Sequence, residues 1–239
     1  MQKNILKFFS AVALLNTLGC AANKASTPPT DPIEKVNRVT FAFNRGLDKV
    51  IIRPIAVGYN FITPHFVQTG VSNFFGNIGS IPTALNDIFQ GHGVRAGEDT
   101  WRFILNSTLG VVGLFDVAEK LGLPKNHQDF GLTLASWGYK NSSYFVLPIL
   151  GPSSVRDTLG LPADFMMDLT NYVQSNSDGY LYAATGLNVI NSRAAELAKD
   201  KTIDESKDPY AYVRDAYFKE RNCAIMKNKN PKINCSSNN

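Results

Sequence analysis

The sequence predicts a mainly α domain built from many short helices, with one small hairpin. Three observations predict it. Apolar residues recur at steps of three and four from Ile33 onward, which is the period of a helix face. Pro54, Gly58, Pro64, Gly70, Gly76, Gly79, Pro82, Gly91 and Gly93 then interrupt the pattern, so no helix there can run far. Only between Ser142 and Leu150 does the chain turn to β-branched and aromatic residues bounded by turn formers, the mark of a short strand.

Charge is withheld over the same region. Pro54 to Val94 carries one formal charge, Asp87, and Phe130 to Val155 carries only Lys140. Neither stretch is a membrane span, because the glycines and prolines leave no apolar run of about 18 residues. A water-soluble domain scatters charge over its exposed surface. These two segments therefore leave surface for something other than water, and lipid is the candidate.

Taken in order, the first helix is expected to open at Asp31-Pro32-Ile33-Glu34: Asp31 caps, Pro32 suits the first turn and Glu34 reaches back. Ile33, Val36, Thr40, Phe43, Leu47 and Val50 form its buried stripe, which Phe41 widens. Pro64 starts a helix bearing Phe66, Val67, Val71, Phe74, Phe75 and Ile78, and Ser80-Ile81-Pro82 starts another that stops at Gly91. Arg95 to Leu109 is a stronger helix, and a link through Gly110 and Gly113 leads to a short one from Asp116 to Lys120. Tyr144 to Leu147 has strand character and Pro148 stops it; Gly151-Pro152 closes the hairpin or ordered loop, and Ser153 or Ser154 caps the next helix. Two more helices follow, around residues 180–201 and 209–222, the latter opened by Asp208-Pro209.

No motif of catalysis is present. His65, His92 and His127 are not at metal-ligand spacing, and there is no His-Glu-x-x-His, Cys-x-x-Cys, Gly-x-Ser-x-Gly, phosphate loop or dinucleotide fingerprint. No cofactor or metal is implied. Ser153, Asp157 and His127 could assemble a hydrolase only if the fold gathered them; otherwise they are a cap, an ion-pair member and a loop histidine. Asn37, Asn44, Asn73, Asn77, Asn86 and Asn106 lie in or beside the charge-poor regions. They form hydrogen bonds between helices, or some of them line a polar path for a head group.

Residues 1–19 have the form of an export signal, with Lys3 and Lys7 before the apolar Phe8 to Leu15. The apolar core is too short for a stable span, so cleavage is expected. Leu18-Gly19-Cys20 resembles the bacterial lipoprotein box, in which the cysteine takes a diacylglycerol and becomes the N-terminus; the usual leucine three positions before it is Thr17 here. Ala21 and Ala22 follow Cys20, which resembles outer-membrane sorting. Residues 20–30 are then a lipidated tether, 31–222 the helical domain and 223–239 a polar tail. With Cys20 acylated, Cys223 and Cys235 remain, an even pair suited to a disulfide in an exported chain; the alternative is two free thiols. The formal charge of +4 loses Lys3 and Lys7 on cleavage, too weak a bias for nucleic acid.

Several ordered strings together resemble one family, the MlaA/VacJ outer-membrane phospholipid-transport lipoproteins. They include Asp31-Pro32-Ile33-Glu34, Phe43-Asn44, Arg53-Pro54, Asn73-Phe74-Phe75-Gly76-Asn77, Arg102-Phe103-Ile104-Leu105-Asn106, Asp129-Phe130-Gly131, Gly151-Pro152-Ser153-Ser154, Arg156-Asp157 and Asp208-Pro209-Tyr210. The resemblance implies a ring-like helical protein in the inner leaflet of the outer membrane, pierced by an amphipathic channel for phospholipid. It also implies association with a trimeric porin and delivery to a soluble periplasmic carrier. The family's hairpin beside the channel falls on Lys140 to Gly151, so Tyr144, Phe145, Leu147, Pro148 and Gly151, with Phe43 and Asn44, become candidate channel or gating residues. Ser142-Ser143 stands where the family has Gly-Pro. A membrane-bound lipid hydrolase and a structural lipoprotein with a dry core are the competing readings.

Overall fold

The computed structural model describes residues 31–172, 179–230, 233 and 235. The signal, Cys20 and the tether lie outside these. Helix α1, Glu34–Leu47, continues through a π-helical turn, Asp48–Ile52, into α2, Arg53–Ile62. Then come α3, His65–Ile78, α4, Ser80–Phe89, α5, Gly93–Thr108, the single-turn α6, Val117–Lys120, and α7, Phe130–Ser136. The hairpin pairs β1, Tyr144–Leu147, with β2, Gly151–Ser154, and leads into α8, Val155–Met167. Helix α9, Gly179–Glu196, a 3-10 turn at Leu197–Lys199, α10, Asp200–Glu205, and α11, Pro209–Lys229, complete it. Among the described residues no helix is long and apolar enough to cross a membrane.

Three local expectations need correction, and one helix is added. Helix α1 begins at Glu34 with Ile33 at its N-cap, because the Asp31 side chain is drawn into tertiary bonds: it accepts from Asn37 at 2.8 Å and from the Tyr210 hydroxyl. The Gly151-Pro152 dipeptide does not end the hairpin but forms the partner strand, with Pro152 opposite Val146. An edge strand tolerates a proline that cannot donate. The charge-free Phe130–Ser136 segment is a helix that the apolar pattern does not announce, capped by the Asp129 carboxylate on the Leu132 N–H at 2.9 Å. The last helix runs on to Lys229, and Asn228 near its end donates to Gln90 at 2.8 Å and Gln128 at 3.0 Å.

The larger correction concerns sidedness. The stripe expected to be buried on α1 is largely open: Val36 is 58%, Phe43 57% and Val50 76% exposed. Asn37 is the buried residue of this helix, while Phe41 packs edge-on against Tyr210. The rest of the domain follows suit. Its fully buried apolar residues are alanines together with Leu132, Tyr144, Val146 and Tyr210; among the described residues no Phe, Trp, Ile or Met is fully buried. The interior instead holds Asn37, Asn86, Asp87, Asp99, Arg102, Asn106, Thr133 and Arg156. In an ordinary soluble domain the large apolar residue types are the ones most often inside. Here the partition is reversed.

Hydrogen bonds hold this polar interior. Asn106 accepts from the Ala118 N–H at 2.9 Å and donates to Asp116 at 3.1 Å, and Arg102 donates to Asp116 at 2.6 Å, so α5 fixes α6 through side chains. Helices α7 and α8 touch backbone to backbone: a Cβ on Gly160 would meet the Gly131 nitrogen at 2.8 Å. Arg221 from α11 clamps both, reaching Asp129 at 2.5 and 2.8 Å and Asp157 at 2.9 Å. Burial pushes both carboxyls upward, but Arg221 at Asp129, and Arg156 together with Arg221 at Asp157, overcome it and leave both below the usual carboxylate range.

Asp87 and Asp99 behave in the opposite way. Asn126 bridges them, donating at 2.8 and 3.2 Å, and the nearest cation is Arg95, 3.1 Å from Asp87. Burial raises both, and at Asp99 the neighbouring Asp87 carboxylate adds to it and pushes the group up to about 7. The folded protein therefore keeps a proton that the unfolded chain releases near pH ~3.9. Stability falls as pH rises from there through about 7. Melting should occur at higher temperature at pH 5.5 than at pH 8, and Asp99→Asn should flatten that difference. A thermal melt that rises monotonically from pH 5.5 to 8 in the parent protein would contradict it.

Candidate lipid-facing surface and hairpin site

The outward apolar side chains occupy successive elements. Phe61 (89%) and Ile62 end α2, Phe66 opens α3, and Ile88 and Phe89 end α4. Val94 and Trp101 on α5 are followed by Leu109, Val111, Val112 and Phe115 in the turn beyond it. Phe66 thus points outward, as a lipid-facing reading requires, while Phe74 and Phe75 are half-buried and meet edge to face. Each such side chain gains about 1.5–3 kcal/mol on leaving water. Apolar patches of this extent mark association with a membrane or a partner.

The turn after α5 holds its valines outward against backbone preference. Val111 and Val112 have φ of 53° and 58°, a region that is a genuine outlier for β-branched residues. Surrounding bonds impose it: Val112 N–H donates to Ser107 O at 3.1 Å, Gly113 N–H to Asn106 O at 2.8 Å and Phe115 N–H to Gly110 O at 2.9 Å. Gly110 is obligatory, since a Cβ there would lie within 2.4 Å of two carbonyl oxygens. Left-handed backbone at such residues costs on the order of 1–3 kcal/mol each. Val112→Gly should accordingly raise the melting temperature while removing an exposed apolar side chain, and an unchanged or lower melting temperature would contradict the strain.

The hairpin is docked by two asparagines seven residues apart on α1. Asn37 donates to Tyr144 O at 3.1 Å and accepts from Val146 N–H at 3.0 Å. Asn44 donates to Leu147 O at 2.8 Å and accepts from Ile149 N–H at 2.7 Å. Two helical turns advance about 10.5 Å, and three strand residues about 10 Å, so the two spacings match. Each amide thereby supplies one donor and one acceptor, Asn37 to the open edge of β1 and Asn44 to its last residue and the turn beyond, as a neighbouring strand would.

The two ends of the hairpin differ. Tyr144 is fully buried, stacked among Tyr210, Tyr217 and Phe218, so this residue anchors the hairpin rather than facing an open passage. Phe145, Leu147 and Gly151 are half-buried and Pro148 is exposed. At the tip Ile149 and Leu150 are 69% and 70% exposed, and Ile149 is itself left-handed at φ 69°. Phe43 faces outward beside Asn44. The base is fixed in a core and the tip is held by the Asn44 pair of bonds.

The asparagines singled out in the sequence are all engaged within the protein. Asn73 donates to Leu114 O at 3.1 Å, Asn77 donates to Ser107 at 2.8 Å, and Asn86 accepts from the Thr133 hydroxyl at 2.7 Å. They join one element to another; the polar-path reading gains nothing from them. Nor are the three hydrolase candidates brought together. The Ser153 hydroxyl meets Thr158 at 3.1 Å, Asp157 is held by Arg156 and Arg221, and His127 is exposed. Cys223 and Cys235 are joined as a disulfide with Cα atoms 5.9 Å apart.

The MlaA lipoprotein family model matches residues 29–224. The chain belongs to that family. An uncharacterized protein of Rickettsia felis is 38% identical over 198 residues, covering 82% of this chain and 78% of its own. The intermembrane phospholipid transport system lipoprotein MlaA of Escherichia coli K12 is 35% identical over 217 residues, covering 87% of this chain and 85% of that one. A solved structure, "Structural basis for maintenance of bacterial outer membrane lipid asymmetry", superposes with a TM-score of 0.70 at 32% identity, covering 82% of this chain and 99% of that one. The mainly helical fold with a single two-stranded hairpin, seen among the described residues, is thus that of an MlaA family member.

Proposed function

We propose that this MlaA family lipoprotein removes phospholipid from the outer leaflet of the outer membrane and passes it inward, maintaining lipid asymmetry. The reversed partition of side chains carries the reading: large apolar residues face out around a hydrogen-bonded polar interior. Such a body sits stably where acyl tails replace water, and its short helices satisfy their backbone groups internally. The relatives named for intermembrane phospholipid transport support the same reading. In it the protein is held by acylated Cys20 on the periplasmic leaflet, associates with a trimeric porin, and delivers lipid to a soluble periplasmic carrier. The hairpin tip gates the passage.

Deleting the protein should leave phospholipid accumulating in the outer leaflet, detected by labelling surface amino lipids on intact cells. Unchanged leaflet composition would overturn the reading. Complementation with Cys20→Ala should fail and the protein should appear in the soluble periplasmic fraction, because acyl chains are needed for durable anchoring. Full membrane retention of Cys20→Ala would remove the anchor from the account.

A further inference from the structure

A cleft of about 380 Å³ opens between α2, α3 and α9. Its polar lining is Asn60, His65, Gln68, Thr69, Ser72 and Asn191, with no carboxylate, lysine or arginine. The floor is rigid: the Tyr59 hydroxyl donates to Asn191 at 2.8 Å and Asn191 donates to Ser72 at 2.8 Å. Asn191 is only 3% exposed. One wall is set by Gln68, which donates to Asn60 at 3.1 Å and to Thr63 O at 2.8 Å. Phe61, Ile62 and Phe66, among the most exposed apolar residues of the domain, flank Asn60 and His65 in the chain. A neutral hydrogen-bonding cleft therefore adjoins surface suited to acyl tails.

We propose that this cleft receives the glycerol-phosphate region of a phospholipid through neutral hydrogen bonds, so that zwitterionic and anionic phospholipids are accepted alike. The inference deepens the transport reading above and rests on it. Discrimination between ligands of different charge needs a charged partner or a repulsive one, and this lining has no permanently charged side chain, His65 being its one ionisable group. The Gln68 amide and the Thr69 hydroxyl already donate within the protein, which leaves the Asn60 amide and the Ser72 hydroxyl to address the ester and phosphodiester oxygens common to all glycerophospholipids. The tails remain beside Phe61 and Phe66.

The test is native mass spectrometry on the full-length acylated protein in detergent, titrated with phosphatidylethanolamine or phosphatidylglycerol. Wild type should bind the two with affinities within about threefold. Thr69 is exposed on the rim, so substitutions there should fold, which circular dichroism checks. Thr69→Trp should weaken both lipids by about tenfold or more, and Thr69→Asp should weaken phosphatidylglycerol about tenfold more than phosphatidylethanolamine. Wild-type preference for either lipid by tenfold, or folded Thr69→Trp and Thr69→Asp proteins that bind both lipids as wild type does, would overturn the cleft while leaving the transport reading standing. Wild type that binds neither lipid would overturn both.

Discussion

Arg221→Met is expected to destabilise the domain by about 3–5 kcal/mol, the range for removing one partner of a buried ion pair. The Asp129 carboxylate would stay enclosed without the cation that ionises it, and Asp157 would keep only Arg156. That loss is a large share of the roughly 5–15 kcal/mol that keeps a domain folded. Three elements would be affected together, since Arg221 on α11 bridges the cap of α7 to the first turn of α8. Arg221→Lys should recover only part of the loss, because one ammonium cannot reproduce the fork that addresses two carboxylates. Chemical denaturation of the three proteins in detergent checks this. A loss below about 1 kcal/mol for Arg221→Met would mean the cluster behaves as a solvated surface pair.

Joining the hairpin tip to α1 is expected to abolish lipid transport while leaving the fold intact. Asn44→Cys with Ile149→Cys places the link where the wild type has a side chain meeting the backbone. The tip is the end able to move. Releasing it breaks two partly exposed hydrogen bonds, worth about 1–3 kcal/mol together, and relieves left-handed strain at Ile149 of similar size. The base is held by Tyr144 in its aromatic cluster. Transport should stop when the link forms and return on reduction. The parent protein under the same reductant controls for the Cys223–Cys235 bridge. Normal transport with the link fully formed would remove the hairpin from the gating role.

Helix periodicity was legible and its direction was not. Val36, Phe43 and Val50 do share one face of α1 and its π-helical extension, but a repeat of three and four says only that one face is apolar. Whether a core or lipid covers that face is decided elsewhere. The asparagines carried the missing signal: Asn37 and Asn44 sit two turns apart on a flank beside the valines, where an amide is costly unless it is bonded. The second strand was hidden because Gly151-Pro152 reads as a stop, and only the absence of a further neighbour beyond β2 among the described residues makes proline harmless there. Helix α7 is seven residues long and contains Gly131. Its existence depends on the close approach of Gly160 and the cap from Asp129, both tertiary events. The disulfide, closing a separation of 12 residues, was the most local feature and the easiest to foresee.

The proposed function requires the outward apolar side chains to lie in acyl tails. The chain has two tryptophans, and Trp101 on α5 is 59% exposed. In the Trp137→Phe protein reconstituted into bilayers, Trp101 emission should be blue-shifted and strongly quenched by bromines placed along the lipid acyl chains. Water-like emission, quenched by iodide in solution and indifferent to brominated lipid, would contradict the account.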